Sequence, residues 1–83
     1  MKAITDNAGK VLQDALEQAK APSDKCVRFV KQPQGANLVI DEPRPGDEQF
    51  SFEGRTVLVV GPDAAKATAD RTLDHQDGAF RFS

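Results

Sequence analysis

The chain has 83 residues, of which 39% are hydrophobic and 29% charged, with a formal net charge of −2. A chain this short folds as one domain with a thin stability margin, because it buries only about 60–65% of the surface it exposes when unfolded. The net negative charge argues against nonspecific nucleic-acid binding, whose affinity comes from Lys and Arg displacing counterions from phosphates.

Thr5–Ala21 is predicted to be a helix. Ile4, Ala8, Val11, Leu12, Ala15, Leu16 and Ala19 recur at the spacings that make one apolar stripe, and Thr5 suits the N-cap. Gly9 inside costs about 1 kcal/mol relative to alanine, which a packed face absorbs. Pro22 pushes Ala21 out of the α region and ends the helix. Cys26–Lys31 alternates as a strand, Gln32-Pro33-Gln34-Gly35 reads as a turn, and Asn37–Asp41 as the returning strand. Glu42–Glu48, with two prolines and a glycine, is a loop. Gln49–Pro62 is the stretch the core should form on. Phe50 and Phe52 alternate with polar residues, Glu53-Gly54 turns the chain, and Thr56–Val60 is uncharged and suited to burial on both faces. Pro62 opens a short helix, Asp63–Asp70. Arg71–Gln76 and Ala79–Ser83 are strands flanking the Asp77-Gly78 turn, so that Phe80 and Phe82 share a face. The order of elements predicts an antiparallel α+β domain spanning residues 1–83, mostly β.

All five aromatic residues are Phe, and the absence of Trp and Tyr argues against a stacking surface for single-stranded nucleic acid. One cysteine, Cys26, excludes an internal disulfide and a cysteine-based zinc site within one chain. No apolar run reaches the roughly 18 residues of a membrane span. MKAITDNAGK lacks the apolar segment of a secretory signal, so the expected location is cytoplasmic.

Several segments in order resemble one family. ITDNAGKVLQDAL, the strand–turn–strand around Lys31–Leu38, EPRPGDEQFSFEGRTVLVVGPDAA and the closing DGAFRFS are similar to the HesB-like family, the A-type iron–sulfur carriers. The resemblance implies a HesB-like fold, with two small mixed or antiparallel sheets, an N-terminal helix alongside and a short second helix. It also implies three cluster-binding cysteines, one in the loop after the first long strand and a Cys-x-Cys near the C-terminus. Here that loop reads KQPQGAN, with Gln34 or a neighbour where the thiol would stand, and no Cys-x-Cys precedes Ser83. A neutral amide does not replace a thiolate as an iron ligand. The resemblance is therefore to a degenerate member lacking the three cluster cysteines, and no ligand residue carries over.

Candidate sites follow from residue chemistry. Cys26 is a weak candidate for cofactor or metal binding, with Lys25 and Arg28 near enough in sequence to lower its pKa; a small buried hydrophobe is the ordinary role of a lone thiol. His75, with Asp74 and Asp77, is a weak metal candidate, but Asp74 and His75 are adjacent on a strand and face opposite ways. The acidic stretch Asp41-Glu42 to Asp47-Glu48 lacks calcium-loop spacing and reads as a solvated loop or a docking surface for a basic partner. Gly61-Pro62 opens a helix, yet Asp63 in its first turn repels an anion. One His and one Cys assemble no catalytic arrangement, so no enzyme and no resident cofactor are expected.

These observations predict a non-catalytic domain acting through an unidentified protein partner, without nucleic-acid or membrane binding. An accessory or modulatory part in iron–sulfur assembly is what the resemblance suggests. Two alternatives stand beside it. One is an iron or iron–sulfur carrier using Cys26 across a homodimer. The other is a small-ligand module reusing a cleft near Gln32–Asn37 and the C-terminal strand. Phe80–Phe82 is expected to complete a sheet within the chain or across such a dimer.

Overall fold

In the computed structural model, residues 1–32 and 35–83 are described, without the side chains of residues 31–36. The chain runs β1 (Ala3–Ile4), α1 (Asp6–Gln18), β2 (Cys26–Gln32), β3 (Gly35–Asp41), β4 (Glu48–Phe52), β5 (Arg55–Val60), α2 (Pro62–Ala67), β6 (Thr72–Gln76) and β7 (Ala79–Phe82). The strands form a four-stranded sheet ordered β3-β2-β5-β4 and a three-stranded sheet ordered β1-β6-β7. This is the expected α+β, mostly β architecture.

The purely antiparallel reading is corrected. β2 and β5 run parallel, as do β1 and β6, so both sheets are mixed. Local patterns reveal hairpins, but not which strand of one hairpin docks on the other. Here β5 of the second hairpin lies against β2 of the first. Ile4 belongs to β1, where it pairs with Leu73, and not to the helix stripe.

Thr5 caps α1 as predicted, its hydroxyl accepting from the Ala8 N–H at 3.2 Å. The far end comes sooner than Pro22 suggested. Lys20 takes φ 55°, and the N–H groups of Lys20 and Ala21 donate to the carbonyls of Glu17 and Leu16 at 3.0 and 2.9 Å. That doubled bond pattern satisfies the last carbonyls and stops the helix, three residues before the predicted end at Ala21. Ala15 and Ala19 are exposed, leaving Ala8, Gly9, Leu12 and Leu16 as the buried face. α2 likewise stops at Ala67, short of Asp70. The buried Thr68 hydroxyl donates to the Ala64 carbonyl at 2.7 Å there.

The Glu53-Gly54 and Asp77-Gly78 turns each hold two successive positive φ values, 50° and 80° in the first and 52° and 80° in the second. This is the turn type whose twist matches paired strands. The Gln32–Gly35 turn falls partly outside the described residues.

β5 sits between β2 and β4, and Val57, Leu58, Val59 and Val60 are all fully buried. Strand register separates the sheet's two faces. Val27, Leu58 and Phe50 lie in one row, facing the core with Leu12 and Leu16 of α1. Arg28, Val59 and Gln49 lie in the next row, on the opposite face. On the core side, a β-carbon added to Gly9 would fall 2.6 Å from a ring carbon of Phe52 and 3.1 Å from its Cβ. Gly9 is therefore what allows α1 to lie directly on β4, a stronger requirement than a tolerated helix glycine.

β3 and β4 occupy opposite edges of their sheet, so the segment joining them must cross β2 and β5. That crossing spans three strand spacings, about 14 Å. It runs over the Arg28–Val59 face, because Arg28 donates to the Glu42 carbonyl at 2.9 Å and to both carboxylate oxygens of Asp47.

Candidate functional site

Two concave regions lie on opposite faces of β2. The first is an apolar cleft of about 230 Å³ between the two sheets, lined by Phe29, Leu38, Leu73, Phe80 and Phe82. Phe80 and Phe82 share a face because they are two apart on β7. β7 pairs with β6 within the chain, with His75 opposite Phe80 and Leu73 opposite Phe82. Phe82 meets Phe29 edge to face, with ring centroids 5.6 Å apart, and this contact joins the two sheets. The cleft adjoins the position where a ligand pocket was expected, although much of Gln32–Asn37 lies outside the described side chains. The five side chains that line it are hydrocarbon, so among the described residues it offers no metal ligand and it suits an apolar group. At that volume it is smaller than the roughly 300 Å³ at which ordinary ligand pockets begin.

The second region holds Cys26. By strand alternation Cys26 shares the Arg28 face, away from the cleft. It is 1% exposed, and its thiol donates to the Asp41 carbonyl at 3.5 Å. The expectation that Lys25 and Arg28 lower its pKa is corrected in sign. Burial pushes the thiol up and outweighs the opposing pull of Arg28, while Asp41 and Asp47 add to the rise. Lys25 is occupied elsewhere, its ammonium donating to Glu42 at 2.9 Å.

His75 is half-buried and stands edge-on to Phe80, with centroids 4.8 Å apart. Asp74 points the other way, as its neighbourhood on the strand requires. It accepts from the Thr5 hydroxyl at 2.6 Å, from the His75 N–H at 2.8 Å and from the Gln76 amide at 2.7 Å. These bonds hold its carboxyl below the ordinary aspartate value, with Thr5 the largest cause. Asp74 thus ties the capped end of α1 to β6. Asp77 is spent on its turn, and among the described residues no three His, Cys, Asp or Glu side chains converge as a metal site.

The acidic stretch is not simply a solvated loop, and this is the largest correction at the level of sites. Asp47 is half-buried with its side chain only 3% exposed, and it binds both terminal nitrogens of Arg28 at 3.0 and 2.7 Å. It also accepts the Arg44 N–H at 2.7 Å. Asp41 accepts from Arg28 Nε at 3.0 Å and from Arg44 at 2.9 Å. Both carboxyls lie below the ordinary aspartate value, Asp47 chiefly through Arg28 and Asp41 chiefly through the N–H of Glu42. Arg28 is the residue that sequence reasoning missed. Its place on a strand was legible, but an arginine between two hydrophobic neighbours gives no sign of which distant carboxylates it will meet. A second arginine, Arg55, braces the turn after α1, its guanidinium donating to the Pro22 carbonyl at 3.2 Å.

No protein-family model matches the chain, and no curated protein matches it in sequence. Solved structures do. Escherichia coli SufA, described as involved in the biosynthesis of iron–sulfur clusters, matches with a TM-score of 0.75 and 24% identity, over 98% of this chain and 82% of its own. IscA with a [2Fe-2S] cluster matches with a TM-score of 0.67 and 19% identity, over 100% of this chain and 84% of its own. At that identity the likeness is one of fold, and the fold of this protein is the HesB-like fold of SufA and IscA.

Proposed function

We propose that this chain is a non-catalytic HesB-like domain that works through protein–protein contacts, as an accessory or modulator of iron–sulfur assembly, in the cytoplasm. What supports the reading is a near-complete fold match to SufA in a chain whose one thiol lies under a strand-to-strand crossing. Cys26 faces away from the inter-sheet cleft and is held in its neutral form by burial, both unfavourable for cluster ligation. The scaffold supplies surfaces for partners, a single partner class or a second copy of the chain. The test is anaerobic reconstitution with iron and sulfide, read by visible absorption and metal analysis beside Cys26→Ser and SufA. A colourless, metal-free product is expected. A stoichiometric chromophore lost in Cys26→Ser would overturn the proposal and establish a carrier that shares a cluster between subunits.

The apolar cleft favours a second reading, a module that binds a small apolar ligand between Phe29, Leu38, Leu73, Phe80 and Phe82. Such a ligand raises the melting midpoint with its concentration. Phe80→Ala abolishes that rise if the cleft is the site. A rise that persists unchanged in Phe80→Ala removes the cleft from consideration.

A further inference from the structure

The crossing segment Glu42–Asp47 covers the second face of the larger sheet without any apolar anchor of its own. Glu42, Pro43, Arg44, Pro45 and Gly46 are all exposed, and only Asp47 is withdrawn from solvent. Its attachment is polar throughout. Arg28 reaches it from β2 at the Glu42 carbonyl and at Asp47, Arg44 reaches back to Asp41, and the Asp47 N–H donates to the Arg44 carbonyl at 3.1 Å. Beneath and beside it lie Val59, fully buried in register with Arg28, and Cys26, which shares a surface recess with Pro43. The other face of the same sheet is closed by Leu12 and Leu16.

We infer that Glu42–Asp47 is a releasable strap, latched by the Arg28–Asp47 ion pair, which opens as a unit ahead of global unfolding and uncovers the Cys26 and Val59 side of the sheet. Segments held by exposed polar bonds and few apolar contacts are those that open locally at low free-energy cost. One residue, Arg28, supplies the bonds at both ends of the strap, so losing it frees the whole segment at once. The charged and titratable groups around Asp47 are Arg28 from β2 and, through Glu42, Lys25 just before β2; Asp41 from β3; Arg44 and Glu42 on the strap; and Asp63 at the start of α2, which shares a recess with Arg28.

Cys26 is the built-in reporter. Its alkylation is measured at pH 7 in the intact chain, in wild type, Arg28→Gln and the isosteric Asp47→Asn, across low urea, with circular dichroism on each sample. In wild type, labelling is expected to depend only weakly on urea, the mark of an opening that exposes little surface. Both variants should label roughly five- to thirtyfold faster while retaining the folded spectrum. With a disulfide reagent active in acid, lowering the pH to about 3.5 should accelerate wild type more than Asp47→Asn, because Asp47 freed from Arg28 takes up a proton there more readily than latched Asp47 and so favours the open strap. Equal labelling rates in folded Asp47→Asn and wild type overturn the proposal. So does a wild-type rate with the full urea slope of global unfolding, which decides the matter even if a variant fails to fold.

Discussion

The two faces of the four-stranded sheet are closed by different physics. On one, Val27, Leu58 and Phe50 meet Leu12 and Leu16, and what holds them is loss of apolar surface from water. On the other, Val59 is just as fully buried, but its cover is a strap fastened by Arg28 to Asp47 and Asp41. The apolar contacts of the hydrocarbon face themselves carry no charge, and among the described residues its titratable support is peripheral, Asp74 bonded to the capping Thr5 of α1. The strapped face is conditional on two carboxylates remaining charged. One face is covered by α1 and the three-stranded sheet, the other by a six-residue connection, where a larger chain would use a further layer of secondary structure.

The comparison is broken most directly on the hydrocarbon face. Leu58→Ala, or Phe52→Ala, should cost about 2–5 kcal/mol in urea unfolding, from lost transfer energy plus the cavity left behind. Unchanged midpoints in both would mean that the core lies elsewhere. Gly9→Ala probes the contact between α1 and β4. In an open helix the change gains about 1 kcal/mol, but here the new methyl meets Phe52 and the expected result is a loss of about 1–3 kcal/mol. Pairing Gly9→Ala with Phe52→Leu should restore part of it.

On the strapped face, Asp47→Asn should cost about 1–2 kcal/mol, the loss of a charge-assisted pair with the shape kept. Its effect should vary with pH where that of Leu58→Ala does not. Asp41, Asp47 and Asp74 are all held below the ordinary aspartate value of 3.8. Each therefore contributes stability that is present above that value and is lost as the pH falls through the lower folded-state value. Chemical denaturation at successive pH values below about 5 should show wild type losing stability more steeply than Asp47→Asn. Matching slopes would show that the latch is silent. The smallest effect is Lys20→Gly, which relieves a side chain at φ 55° and should stabilise by about 0.5–1 kcal/mol.

Much of this molecule was legible because its signals are local. Thr5 announces its cap, Phe50 and Phe52 alternate, Glu53-Gly54 and Asp77-Gly78 demand positive φ, and the uncharged run to Val60 demands burial. The resemblance of EPRPGDEQFSF and DGAFRFS to the HesB-like family extended that reading to the whole fold. Even where a local signal was read correctly it set only one boundary. Pro22 forbids a longer helix, but the turn at Lys20 had already ended it.

Taken alone, the sequence determined the two helices, the longer strands, the Glu53-Gly54 and Asp77-Gly78 turns, the central buried strand and the seclusion natural to a single thiol. Each of those is a property of residues a few positions apart. The tertiary structure decided that β5 lies parallel to β2, that Gly9 touches Phe52, and that Arg28 closes a strap over the far face by meeting Asp47. Those pairings join residues 19 or more apart in the chain, as with Arg28 and Asp47. Their partners are selected by where the sheet places them, and strand order is set by the combined burial of all the strands.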